Sequence, residues 1–308
     1  MNGGDLRFTI YDSRPSGGAE PVAFHAPTLR RSTLHAFTLL ELLTVVAIIG
    51  IIAAIALPTI HSFKPNAGAN ATRQMLDAVT RARQLAISQR STVYMVFVPP
   101  GFWTDPNFKT NNWGSNDLTT MYGLLDKQMQ GYAYVSLRSV GDQPGVSYPQ
   151  YLSTWRPLFP GAYISAEKFN YIVTNNPQPV LRIYTNSILA YQVYGFNTNN
   201  VFPFPSEDTP PAVVANGVKH WITLPYIAFD GMGQLVSGSS ITPELIPITQ
   251  GFASVPRDPN TKVAVIPAPG NPPVTIKEQP LGNTTNNFNL VWVDQLTGRG
   301  RIEHQKVQ

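Results

Sequence analysis

From residue 37 to 57 the chain reads FTLLELLTVVAIIGIIAAIAL, apolar or neutral at every position except Glu41. Wound as a helix at about 1.5 Å per residue, such a run is about 30 Å long, enough to cross the hydrocarbon core of a bilayer. The pattern therefore predicts a membrane-spanning helix near 37–60. Pro58, which lacks an N–H and crowds the preceding turn, is expected to end or kink it. Gly50 is either an ordinary membrane-helix glycine or a point of close helix approach and local melting. Glu41 is the exception to be explained, because a carboxylate at mid-bilayer costs about 2.5–3.5 kcal/mol even on a lenient scale.

A second helical pattern follows over 70–90. Met75, Val79, Ala82 and Ala86 recur at 4-3-4 spacing, Leu76 and Leu85 widen that face, and Asn70 is placed as N-cap. Arg73, Arg81, Arg83 and Arg90 fall mostly on the opposite face and read as a solvated side. Residues 91–98, STVYMVFV, read as a strand covered on both faces. The stretch 99–220 alternates aromatic-rich turns with candidate strands at 132–138, 180–185 and 190–196, and VFPFPSEDTPP over 201–211 reads as a stiff extended connector. Residues 221–229, the turn DGMG and 234–236 give strand, turn, strand; 289–293, a turn over 294–298 and 299–303 repeat it. Between them, 242–280 is punctuated by proline, with one expected strand at 262–266.

Composition refines this division. Residues 1–29 are rich in Gly and Pro without sustained periodicity, and read as an unstructured leader. Arg30 and Arg31 close it on the near side of the apolar run, so the positive-inside rule holds that end in the cytoplasm. A secretory signal peptide would place its small-residue exit beyond the apolar core; here the small residues precede it. The formal net charge is +4 on 308 residues, and removal of 1–36 leaves +3 on 272. That charge, dispersed as it is, makes no case for nucleic acid as the main partner. There are no cysteines, so the fold must be held by its core alone.

The run His35-Ala36-Phe37-Thr38-Leu39-Leu40-Glu41 ahead of an apolar helix resembles the cleavage and methylation signal of type IV prepilins and type II secretion pseudopilins. The resemblance implies a cut between Ala36 and Phe37 by a dedicated prepilin peptidase, and N-methylation of Phe37. It implies that Glu41 guides filament assembly by pairing with the Phe37 ammonium of an adjacent subunit, and that Gly50 and Pro58 serve helix packing and kinking. Ala36 stands where Gly is usual; being small, it implies processing that is slowed or unaffected. The junction ARQLAISQRSTVYMVF and the pairs IAFDGMGQLV and LVWVDQLTGRGRIE look like the H-type minor pseudopilins.

The implied architecture is α+β and pilin-like: a long N-terminal helix, transmembrane over its first half, packed on an antiparallel β-sheet head. The implied organisation is a cleaved cytoplasmic leader over 1–36, a transmembrane and filament-core helix over 37–60 and a periplasmic helix with first strand over 61–98. A loop-rich variable region over 99–220 and a C-terminal strand region over 221–308 complete it. Expected localisation is the inner membrane, single-pass, with the head periplasmic, and then the filament. Expected partners are other pilin or pseudopilin subunits, the prepilin peptidase, an inner-membrane assembly platform and, before assembly, membrane lipid. The expected role is structural, as a minor pseudopilin of a type II secretion pseudopilus or related pilus; a pilus-tip binding module, adhesin or DNA-uptake pilin, is the alternative.

Searches for chemistry return little. There is no G-x-S-x-G elbow, P-loop, H-E-x-x-H or C-x-x-C, so no catalytic residue, metal or cofactor is expected. The histidines His25, His35, His61, His220 and His304 are far apart in sequence. Asp105, Asp117 and Asp258 lie in loops without the dense oxygen-ligand spacing of calcium sites. His220 and Asp230-Gly231 match the bare spacing of an H-X9-DG motif without its Gly/Asn-rich filling. Arg299, Arg301, His304 and Lys306 form a small basic tail with no interleaved aromatic expected beneath it.

Overall fold

Small and apolar residues on one stripe of a helix let a sheet approach it closely, and the second helical pattern does this. The computed structural model describes residues 38–62, 67–106, 115–138, 149–170, 178–185, 188–203, 221–237, 243–286 and 288–304, with the backbone alone at 51–62, 115–118 and 185. The chain divides into two units, Met1–Ser62 and Phe63–Gln308. The first contributes helix α1, Leu39–Ser62. The second begins with helix α2, Ala67–Gln89, which buries Ala71, Met75, Ala78, Val79, Ala82 and Ala86. Asn70 lies inside the first turn of α2 and does not cap it, because the helix starts three residues earlier.

After α2 come β1 (Val93–Phe97), α3 (Ser115–Leu125), β2 (Gly131–Ser136), β3 (Gln150–Tyr151), β4 (Arg156–Pro157) and β5 (Ala162–Ile164). Next are β6 (Leu181–Thr185), β7 (Ile188–Val193), β8 (Val201–Pro203), β9 (Trp221–Thr223) and β10 (Tyr226–Phe229). The chain closes with β11 (Glu244–Ser254), β12 (Thr275–Glu278), the short α4 (Asn283–Asn286), β13 (Asn289–Val293) and β14 (Gly300–His304). One sheet runs β10-β1-β2-β3 with β4 also on β2; a second runs β12-β11-β13-β14 with β5 also on β11. The pairs β6–β7 and β8–β9 stand as two-stranded sheets, and all the pairings are antiparallel.

Period-two alternation explains the two main cores. Val93, Met95 and Phe97 of β1 join the α2 stripe, Ile227 and Phe229 of β10, and Ile246, Ile248, Val291 and Val293 of the second sheet. Val96 and Val98 point the other way, into a core with Met121, Leu124 and Leu125 of α3, Tyr151, Phe202 and Ile222. Strand β1 is thus covered on both faces, which its unbroken apolar run requires.

The architecture corrects the expected one. Among the described residues no helix is long and apolar enough to cross a membrane, which overturns the single inner-membrane span with cytoplasmic N-terminus and periplasmic head. Helix α2 has the length, but carries Arg73, Asp77, Arg81 and Arg83. The long helix with a transmembrane first half is replaced by α1 and α2, which belong to different units, and the antiparallel sheet head by, among the described residues, four separate sheets.

Local expectations also shift. The expected strand 221–229 breaks at Leu224-Pro225 into β9 and β10, which lie in different sheets. The strand expected at 262–266 is absent; Ala264 makes only an isolated bridge to Arg257. The longest strand of the head, β11, was not expected, because Pro247 interrupts its sequence. Pro247 survives there because its carbonyl accepts from Ser165 N at 3.1 Å, just past the end of β5. Its missing N–H therefore falls where that ladder has run out.

Candidate functional site

Helix α1 opens on a cap written in its own sequence. The Glu41 N–H donates to Thr38 Oγ1 at 3.2 Å, and the Leu42 N–H to the Thr38 carbonyl at 3.1 Å. Thr38 thus stands at the N-cap and Glu41 at N3, the spacing of a Thr-x-x-Glu capping box of which the Thr38 half is made, with the carboxylate at the positive end of the helix dipole. The Thr44 hydroxyl donates to the Glu41 carbonyl at 2.9 Å. In this turn and beyond it, Leu39, Leu40, Leu42, Leu43, Val45, Val46, Ile48 and Ile49 are all exposed, from 46% at Val45 to 82% at Leu39.

Of the residues assigned to processing and assembly, Ala36 and Phe37 lie outside the described residues. Glu41 is exposed in the first turn of α1. Gly50 has open space where a side chain would go. Pro58 falls within α1, which continues to Ser62, so the proline does not end the helix.

The head contains a buried polar contact between residues far apart in the sequence. Lys168, in a 3₁₀ turn over Ala166–Phe169, is 1% exposed. Its ammonium donates to Glu244 Oε1 and, at 2.6 Å, to the Tyr194 carbonyl, and lies 4.7 Å from the centroid of the Phe196 ring. Burial pushes the lysine pKa down and the Glu244 pKa up, each opposed by the charge of the other. A lysine in the string AEKF gives no hint of burial, and its partner is 76 residues away.

Arg83, read as part of a solvated face, instead reaches two turns of the C-terminal region. Its Nε–H is shared between the Gly233 carbonyl at 3.2 Å and the Thr297 carbonyl at 2.8 Å. Each turn is closed by an aspartate: Asp230 Oδ1 accepts from Met232 N and Gln234 N, and Asp294 Oδ1 from Thr297 N and Oγ1. Arg83→Ala is expected to lower stability by about 1–3 kcal/mol by stripping two carbonyls of a charged donor. Urea unfolding measures this, with the exposed Arg73→Ala as a control expected to change little.

The remaining candidates scatter. His220 and Lys306 lie outside the described residues, as does the side chain of Asp117. Asp105 accepts from Thr223 N at 3.1 Å, and Asp258 closes its own loop by accepting from Asn260 N and Thr261 N. Among the described residues no three His, Asp or Glu side chains gather where they could hold a metal. The basic tail is not free: Arg301 pairs with Glu303 at 2.7 Å, and His304 Nδ1 meets Asn289 Oδ1 at 2.7 Å. Arg301 also lies 4.0 Å over the ring of Trp292, an aromatic that the sequence reading did not place beneath it. Comparison of the chain with protein-family models, with curated protein sequences and with solved structures returns no match.

Proposed function

We propose that this chain is a non-enzymatic structural subunit of a helical filament of the type IV pilin and pseudopilin kind. In this reading it is cut between Ala36 and Phe37 and methylated on the new amine. The observation that carries it is the bare apolar surface of α1, headed by the lone carboxylate of Glu41 in a capped first turn. A helix apolar on every side needs cover, and the cover proposed is the same helix of neighbouring subunits. Within such a bundle Glu41 would be costly alone and becomes a register mark when the Phe37 ammonium of an adjacent copy neutralises it. The Thr38 cap supports this by fixing where the helix begins, so that Glu41 falls in its first turn, next to the proposed new N-terminus.

The absence of native cysteine makes the test clean. With Val46→Cys introduced, oxidation of the assembled material is expected to give a disulfide-linked dimer, the largest product one thiol per chain allows. Adding Glu41→Ala should cut the dimer yield about tenfold or more, because each ammonium would then be buried unpaired. An undiminished dimer yield from the Glu41→Ala protein counts against the proposal.

A further inference from the structure

A groove of about 660 Å³ runs along the outer side of α2, with Tyr132 on β2 and Arg156 and Phe159 at and beyond β4 forming its other wall. Its scaffold is fixed. Gln74 Nε2 donates to the Pro157 carbonyl at 2.9 Å, and the buried Tyr134 hydroxyl donates to the Ala78 carbonyl at 3.0 Å. Arg73, Asp77 and Arg81 stand on one stripe of α2, exposed, at successive intervals of four residues. Among the described residues none of Arg73, Arg81 and Arg156 has an ion-pair partner. The groove therefore offers three uncommitted guanidinium groups around one carboxylate.

We propose that this groove docks an extended acidic peptide segment of a different protein, with carboxylates at positions i and i+4 and an uncharged residue between them. Arg73 and Arg81 are eight residues apart on the helix, about 12 Å. Side chains four residues apart on an extended strand share one face and are separated by about 13 Å. Arginine forks favour such carboxylates. Asp77, midway between the two arginines, repels a third anion at i+2. That argues against nucleic acid, whose charge recurs at every nucleotide and would set a phosphate against Asp77. The 18 Asp and Glu residues of this chain include no two that are four positions apart, so a second copy offers no such segment. The inference stands apart from the filament reading: it uses only the head.

Fluorescence anisotropy with the full chain at low ionic strength tests it. The probe is labelled Thr-Glu-Thr-Ser-Thr-Glu-Thr, compared with Thr-Glu-Thr-Glu-Thr-Glu-Thr and with labelled oligothymidine. The first peptide should bind, and Arg73→Glu with Arg81→Glu should weaken it about tenfold or more. Arg299→Glu, outside the groove, should not. The second peptide should bind no more tightly despite its extra charge, and should gain affinity with Asp77→Asn. Unchanged melting of each variant ensures that lost binding reports the groove. No binding of the first peptide overturns the proposal. So does equal binding by the double variant, or oligothymidine binding that exceeds the peptide and ignores Asp77→Asn.

Discussion

Lys168→Met is expected to destabilise the head by about 3–5 kcal/mol at neutral pH, because it strands a carboxylate in a site built around an ammonium. Glu244 is 11% exposed on its side chain and has its one ion-pair partner, among the described residues, in Lys168. Replacing both residues removes the charge with its partner, so Lys168→Met with Glu244→Leu should recover most of the loss. The pH dependence has a definite sign. Burial raises the Glu244 pKa, so the folded chain holds that proton more tightly than the unfolded one, and stability falls as pH rises from the ordinary value toward the folded one. Without Lys168 the opposing charge is gone and the pKa rises further. The Lys168→Met deficit should therefore shrink on acidification as Glu244 takes up a proton. Burial lowers the Lys168 pKa, so in the native chain its contribution improves as pH rises from the folded value toward 10.5. Urea unfolding of the two variants across pH reads both signs. A deficit that stays constant from neutral to acid pH would show that Glu244 is not the stranded group.

Gly298→Ala is expected to cost about 2–4 kcal/mol, through two causes at one position. Gly298 has φ of +61°, where an L side chain is strained, and its missing Cβ would land on the Gly233 carbonyl. That carbonyl is one of the two held by Arg83, so the added methyl would drive apart the turns that the arginine draws together. Gly270→Ala is the control. It also has positive φ, +93°, but its side chain would enter open space, so it should carry the conformational cost without the collision. Calorimetric melting of the pair separates the two terms. Acid should act on the same turn: hydrogen bonds from Thr297 hold the Asp294 carboxyl below its ordinary pKa, so its contribution is present above the ordinary value and lost as pH falls through the folded one.

These residues show how far a sequence can be read. Helix α2 was legible because Met75, Val79, Ala82 and Ala86 repeat at helical spacing and each is buried. The hairpin of β13 and β14 was legible because its turn residues announce it: Asp294 and Gly298 close the connection between apolar β13 and the charged, alternating β14. Strand β11 was hidden, since Pro247, Thr249, Gln250 and Gly251 break its pattern, and only the neighbouring strands make it a sheet centre. Helix α3 was hidden because Asn116, Asp117, Thr119, Thr120 and Gly123 leave its sequence too few apolar positions for a full amphipathic repeat. Glu41 stood out as a lone charge in an apolar run. Lys168 did not, because a buried pair is a property of two distant positions brought together. The membrane span was an extrapolation from apolar length, and among the described residues no helix is long and apolar enough to carry it.

The filament proposal depends on the chemical nature of one chain end. Intact-mass spectrometry of the protein recovered from assembled material reads it directly. The proposal predicts a chain beginning at Phe37 and heavier by one methyl group. A chain that keeps residues 1–36, or begins at any other position, would contradict it.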